Sequence, residues 1–242
     1  QIERDVTVED LIKAFSIEKV TKEFFQKYKD LCFKIESELS QLRKKDELIN
    51  QTFKKNNITN INFSKKLMSQ IVFLYFIQKK GWLGIKRNVS GIYGKWGTGP
   101  NNFLRKLFNK EYSKYENFFN DILEPLFYNG FSVERAENIY DKLNCKIPFL
   151  NGGIFEPINN YNWYETDIKI KNSTIENILD TFDSFNFTVR EEDPLEVEVA
   201  VDPEMLGKVF ENLIEENIRK GAGAFYTPRP IVRHMCEKSL KE

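Results

Sequence analysis

Nine of the eleven residues from Leu67 to Ile77 are large and predominantly apolar: Leu67, Met68, Ile71, Val72, Phe73, Leu74, Tyr75, Phe76 and Ile77. Wound into a helix they leave no polar face, and a helix that is apolar all round has to be enclosed on every side. The run falls well short of the ~20 residues that cross a bilayer. The sequence therefore predicts a central helix over Lys65 to Lys80, wrapped by the rest of the chain. Gly81 is placed to end it in a left-handed turn, with Trp82 and Leu83 folding back onto it.

Wrapping elements are visible on both sides. Between residues 15 and 45, Val20, Phe24, Tyr28, Leu31, Ile35, Leu39 and Leu42 recur at steps of four or three. Glu18, Lys22, Lys27, Lys29 and Glu38 lie mostly off this stripe, which predicts one long amphipathic helix. Asn56 to Asn62 has a turn composition. Residues 101–128 read as helical, first through Phe103, Leu104, Leu107 and Phe108, then through Tyr115, Phe118, Phe119, Ile122 and Leu123. Pro125 is expected to bend or end the second run. Ser132 is expected to open a short helix through Ala136, Ile139, Tyr140 and Leu143. Asn151-Gly152 signals a tight turn against the core.

Asp167 to Lys171 alternates like a short strand, and its Asp-x-Lys spacing matches the tail of a magnesium nuclease motif without a visible partner acid. Ser173 is placed to cap a helix through Ile175, Ile178, Leu179 and Phe182. Phe185 to Val189 is strand-like, and the acids from Glu191 to Glu198 read as a solvated link. The fold class is mainly α, a multi-helix domain with a few short strands.

Several chemistries are excluded or disfavoured. The three cysteines are isolated and odd in number, as suits a reducing cytoplasm and no metal framework. His234 is the only histidine, so neither a three-histidine zinc site nor a histidine pair can form within the chain. Gly94 to Gly99 is glycine-rich, but it lacks the Lys-Ser or Lys-Thr that a phosphate-binding loop carries after its last glycine. No signal peptide and no run of membrane-spanning length appears, and the expected location is the cytoplasm.

Charge is distributed unevenly. The chain has 36 acids and 36 bases in 242 residues, yet positions 48–110 contain no Asp or Glu, where about nine would be expected at the chain average. The same window holds 12 Lys and Arg, leaving 24 to balance all 36 acids elsewhere. Neutrality overall thus hides a strongly basic segment. Lys86, Arg87, Lys95, Arg105 and Lys106 are the candidate contacts to double-stranded DNA, since phosphate binding comes mainly from such side chains. The alternative is a basic face that docks onto acidic neighbours in the same chain. The glycine-rich stretch from Lys86 to Asn102 is expected to be a flexible insertion beside the DNA, or a short hairpin through Ile92 and Tyr93.

Asp202 to Leu240 reads as a capped helix, a tight loop and a second helix. Asp202 and Pro203 open the first, with Met205, Leu206, Val209, Phe210, Leu213 and Ile214 on one face, and Gly221 ends it. Thr227-Pro228 opens the second, with Ile231, Val232, Met235 and Leu240 as its stripe. The run AFYTPRPIVRHM, preceded by DPEMLGKVFENLI, resembles the entry to the methyltransferase domain of adenine-specific DNA methyltransferases. FSIEKVTKEFFQKYKD, SQIVFLYFIQKKGWLG and PFLNGGIFEP are similar to parts of the large restriction–modification polypeptides that fuse endonuclease, helical connector, methyltransferase and target recognition.

The resemblance implies a connector over residues 1–200 and the first helices of a truncated α/β methyltransferase domain over 201–242. It implies S-adenosylmethionine as the cofactor of the parent enzyme, with Phe225, Tyr226, Thr227 and Pro228 near it. The glycine-rich cofactor loop and the Asn/Asp-Pro-Pro-aromatic loop that such an enzyme needs do not occur, so no catalytic residue is assigned and no cofactor is expected on this stretch alone. The remainder of the methyltransferase, and a nuclease before Gln1, are the implied partners within one chain. The stripe on the last helix should then rest on a sheet outside this stretch. A self-contained helical DNA-binding or protein-interaction module is the competing reading.

Overall fold

A computed structural model describes residues 17–150, 153–187, 200–201 and 229–239. It opens with three helices, α1 (Ile17–Lys45), α2 (Glu47–Lys55) and α3 (Asn60–Lys79). The predicted stripe is the buried face of α1: Phe24, Tyr28, Ile35 and Leu39 are fully enclosed, with Val20 and Leu42 partly covered at the two ends. Asp46 breaks the helix. Its backbone is extended, and its carboxylate accepts the N–H groups of Leu48 and Ile49 at 2.9 and 3.2 Å, which starts α2.

Helix α3 is the central element that its composition demands. Leu67, Met68, Ile71, Val72, Leu74 and Tyr75 are all buried, and α1 packs along it. Thr59 caps its first turn through Asn62 N–H at 3.2 Å. At the other end Gly81 takes φ +66°. The Gly81 N–H donates to the Gln78 carbonyl at 2.8 Å, and the Trp82 N–H to that of Ile77 at 3.4 Å. This is the left-handed termination expected at that glycine, and Leu83 is buried behind it.

The middle of the chain departs from expectation. Helix α4 (Phe103–Phe108) is short, and helix resumes only near Phe118. It then runs through Pro125 rather than stopping there, as two π-helical segments, Phe119–Leu123 and Leu126–Phe131. The wider π turn accommodates the missing proline donor. The Asp121 carbonyl, four residues earlier, accepts the Lys142 ammonium at 2.6 Å. The helix expected from Ser132 is replaced by a hairpin, β1 (Ile139–Tyr140) against antiparallel β2 (Cys145–Lys146). Glu137, Asn138 and Asn144 have positive φ, which a helix excludes. The Arg135 guanidinium holds the turn by donating to the carbonyls of Asn129, Val133, Ile139 and Ile147 at 2.7–3.3 Å and to that of Gly130.

Helix α5 (Asn172–Asp183) buries Ile175, Ile178, Leu179 and Phe182, as predicted. Ser173 does not cap it. Glu38 of α1 does, accepting the Lys171 N–H and the Thr174 hydroxyl, both at 2.6 Å. Residues 167–171 alternate in burial without joining a ladder, and Asp167 pairs with Lys169 of the same segment at 2.6 Å. The strand-like reading of 185–189 holds for β3 (Asn186–Phe187), which pairs in parallel with β4 (Ala200–Val201). Val201 is fully buried against this core. The acidic link and the Asp202 helix lie outside the described residues. The last helix, α6 (Arg229–Ser239), exposes Ile231, Val232 and Met235 by 52%, 42% and 59%, so this core does not cover the predicted stripe. No described helix is long and apolar enough to cross a membrane.

Candidate nucleic-acid interface

The basic segment meets the rest of the fold in two different ways, and the difference locates the candidate site. Residues 81–100 are folded rather than a free insertion. The Gly81 carbonyl accepts the N–H groups of Gly97 and Gly99 at 3.1 and 2.9 Å, which pins the far end of the loop to the end of α3. Ile85 forms an antiparallel bridge to Lys146 and so joins the loop to β2 of the hairpin. Arg87 bridges Tyr93 and makes a smaller hairpin, as anticipated for Ile92 and Tyr93.

Gly84 sits at the base of this loop with φ +68°, where a Cβ would lie 2.2 Å from the Phe103 ring and 2.8 Å from the Tyr112 hydroxyl. That hydroxyl donates to the Gly84 carbonyl at 2.8 Å. Gly84→Ala should therefore displace Tyr112 and destabilise the fold by about 1–3 kcal/mol, read as a lowered urea midpoint. A midpoint equal to that of the unaltered chain would mean that the loop is not packed in this way.

Aromatic rings hold the cations of this loop. The Lys86 ammonium lies 4.1 Å from the centre of the Tyr112 ring, and the Arg87 guanidinium 4.7 Å from that of Tyr93. Lys80 lies 5.5 Å from Trp82, and Lys146 lies 4.3 Å from Trp96. The two tryptophans, each about two-fifths exposed, approach to 6.4 Å between ring centres. A ring face restrains a cation by roughly 0.5–1 kcal/mol at an exposed site, yet it carries no net charge to cancel it. None of Lys79, Lys80, Lys86, Arg87, Lys95 and Lys146 forms an ion pair with another described residue. The surface around the loop therefore keeps its positive charge while its side chains are partly ordered.

Other cations of the acid-free window are used internally. Arg105 of α4 reaches Asp180 and Asp183 of α5, each at 2.7 Å. Burial opposes the charge on Arg105, but its bonds to Asp183 and Asp180 prevail and raise its pKa above the ordinary value. Asp183 also accepts the Tyr75 hydroxyl at 2.7 Å, which joins α3 to the same pair. Lys106 meets Glu111 at 2.9 Å. Lys66 donates to the Gly153 carbonyl at 3.0 Å, and burial lowers its pKa against the pull of Glu156.

Of the five candidate DNA contacts, Lys86, Arg87 and Lys95 are exposed on the loop and form no ion pair with another described residue. Arg105 and Lys106 lie on α4 with acidic partners. Lys146, which is joined to the loop, lies outside the acid-free window and has no distinguishing sequence neighbourhood. Only the pairing of β2 with Ile85 brings it there. Phe225, Tyr226, Thr227 and Pro228 lie outside the described residues. Among the described residues no group of three or more His, Cys, Asp and Glu is placed to hold a metal ion.

No protein-family model and no solved structure matches the chain. Over 249 aligned residues, covering 93% of the chain, it is 27% identical to a Methanocaldococcus jannaschii protein that bears the name of a type II restriction enzyme and methyltransferase. The chain spans about a fifth of that protein's length, 19%.

Proposed function

We propose that this stretch is the helical connector of a restriction–modification enzyme and that its basic loop faces double-stranded DNA. The observation that carries the reading is the set Lys80, Lys86, Arg87 and Lys146, whose cations lie against aromatic rings rather than acids. Nucleic-acid affinity of this kind depends on unneutralised Lys and Arg. The similarity to the Methanocaldococcus jannaschii protein supports the enzymatic context. In this reading the parent transfers a methyl group from S-adenosylmethionine to the exocyclic amine of an extruded adenine. Phe225, Tyr226, Thr227 and Pro228 would approach that cofactor, and the catalytic loops belong to other parts of the polypeptide. A fused endonuclease belongs to the same proposal.

The test is the salt dependence of duplex binding by the chain. Each lost phosphate contact lowers the log–log slope by about 0.9. Lys86→Gln, Arg87→Gln and Lys95→Gln together should flatten the slope by between two and three such steps. Arg105→Gln should leave the slope unchanged and lower stability instead. Equal slopes for the triple variant and the unaltered chain would refute the DNA-facing loop.

A further inference from the structure

The hairpin between Arg87 and Tyr93 carries an exposed apolar tip that the charge argument leaves unexplained. Val89 is fully exposed and Ile92 is 66% exposed. The tip is closed on itself: Asn88 N–H donates to the Ile92 carbonyl at 2.8 Å, and the Asn88 side chain accepts the N–H groups of Ser90 and Ile92, both at 3.0 Å. The Asn88 side-chain oxygen is thereby engaged, so the tip keeps only the Asn88 amide nitrogen and the Ser90 hydroxyl to meet a base edge. Such a tip can make apolar contact, not the paired hydrogen bonds of direct readout.

We propose that this tip is a wedge that enters a groove of duplex DNA and partly unstacks a base step, with Val89 and Ile92 as the inserted side chains. The inference rests on the DNA-facing reading of the same loop. Charge complementarity selects the occupant, because Lys86 and Arg87 stand at the neck of an uncharged projection within a segment free of acids. Reach agrees with it. Val89 is two positions beyond Arg87, at most about 7 Å along the chain, and the grooves are about 7.5–8.5 Å deep. A tip at the groove floor therefore leaves Arg87 near the phosphate rim. Small apolar wedges of this kind are how several architectural proteins open a base step. The tryptophans are poorer candidates for stacking on bases, since Lys80 and Lys146 already lie over their faces.

The experiment titrates the 242-residue chain onto duplexes that carry 2-aminopurine at successive positions, with fluorescence reporting unstacking and affinity measured between about 50 and 200 mM salt. The unaltered chain should raise the fluorescence of a labelled duplex. Val89→Ser with Ile92→Ser should abolish that rise while the salt slope is retained, and a melting curve should show an intact fold because both side chains are exposed. Salt-dependent binding with no rise, or a rise that survives the double substitution, overturns the wedge and leaves the DNA-facing loop standing. Loss of salt-dependent binding in the unaltered chain removes both.

Discussion

Phe182→Ala should lower the unfolding free energy of the helical body by about 3–5 kcal/mol, at the upper end of large-to-small substitutions. The Phe182 side chain is fully buried on α5. Its ring lies 5.7 Å from that of Phe24, 6.4 Å from Tyr28, 5.3 Å from Tyr75 and 6.0 Å from Phe187. These neighbours come from α1, α3 and β3, so one side chain ties four elements together. Aromatic pairs contribute roughly 0.5–1.5 kcal/mol each beyond the area they bury, though not additively.

The size of the effect depends on how far the walls can close over the space left behind. Here they are rings, and some are fixed. The Tyr75 hydroxyl bonds to Asp183 at 2.7 Å, so that wall moves only by breaking a part-buried hydrogen bond. Phe185→Ala is the control. That ring meets Phe24 edge-on at 5.1 Å but is only partly buried, and its loss should be distinctly milder. Urea denaturation of the two variants decides the matter. Equal losses would show that the cluster is not organised around Phe182.

How much of this was legible in the sequence follows from the range of each interaction. The stripe of α1, the all-round apolar run of α3 and the Gly81 termination are local patterns, and each is found where its period or its glycine puts it. The hairpin β1–β2 was not legible, because Ala136, Ile139, Tyr140 and Leu143 also satisfy a helical period. What prevails is the left-handed backbone at Asn138 and Asn144 and the carbonyls collected by Arg135. The cap of α5 was hidden for another reason. Ser173 is a good local candidate, but Glu38 reaches the same turn from a helix 133 residues away in sequence from Lys171.

The candidate site divides in the same way. The absence of acids from 48 to 110 is visible in the sequence and marks the region. Which of its cations keep an outward charge depends on tertiary neighbours: the two aspartates of α5 engage Arg105, and the rings of Tyr112 and Tyr93 hold Lys86 and Arg87. Charge counting cannot separate these fates, since α5 lies some 75 residues from Arg105.

Glu124 gives the other large effect, and its sign is opposite to that of most carboxylates. It lies between the two π-helical segments, almost wholly buried, and accepts the Tyr161 hydroxyl at 2.5 Å. Burial pushes its pKa well above the usual range; the bond from Tyr161 works against this without overcoming it, and Asp167 adds to the rise. A carboxyl with a raised folded pKa holds its proton more tightly in the folded state. Below the unfolded value of about 4.3 both states are protonated and pH has no effect through this group. Above it the unfolded chain releases the proton first, so stability falls as pH climbs towards the folded pKa. For one proton the slope is at most about 1.4 kcal/mol per pH unit. Glu124→Gln keeps the shape and an acceptor for Tyr161 but cannot ionise, so it should remove that fall and exceed the unaltered chain in stability at alkaline pH. Glu124→Ala leaves the buried Tyr161 hydroxyl without this partner, a cost of about 1–3 kcal/mol before the cavity is counted; it should be the least stable of the three at acid pH and, having no carboxyl to ionise, should not share the fall of the unaltered chain as pH rises. Urea midpoints measured across the neutral range test this. If the Gln variant and the unaltered chain fall in parallel, Glu124 is ionised in the fold, and a hydrated or paired carboxylate must replace the protonated one.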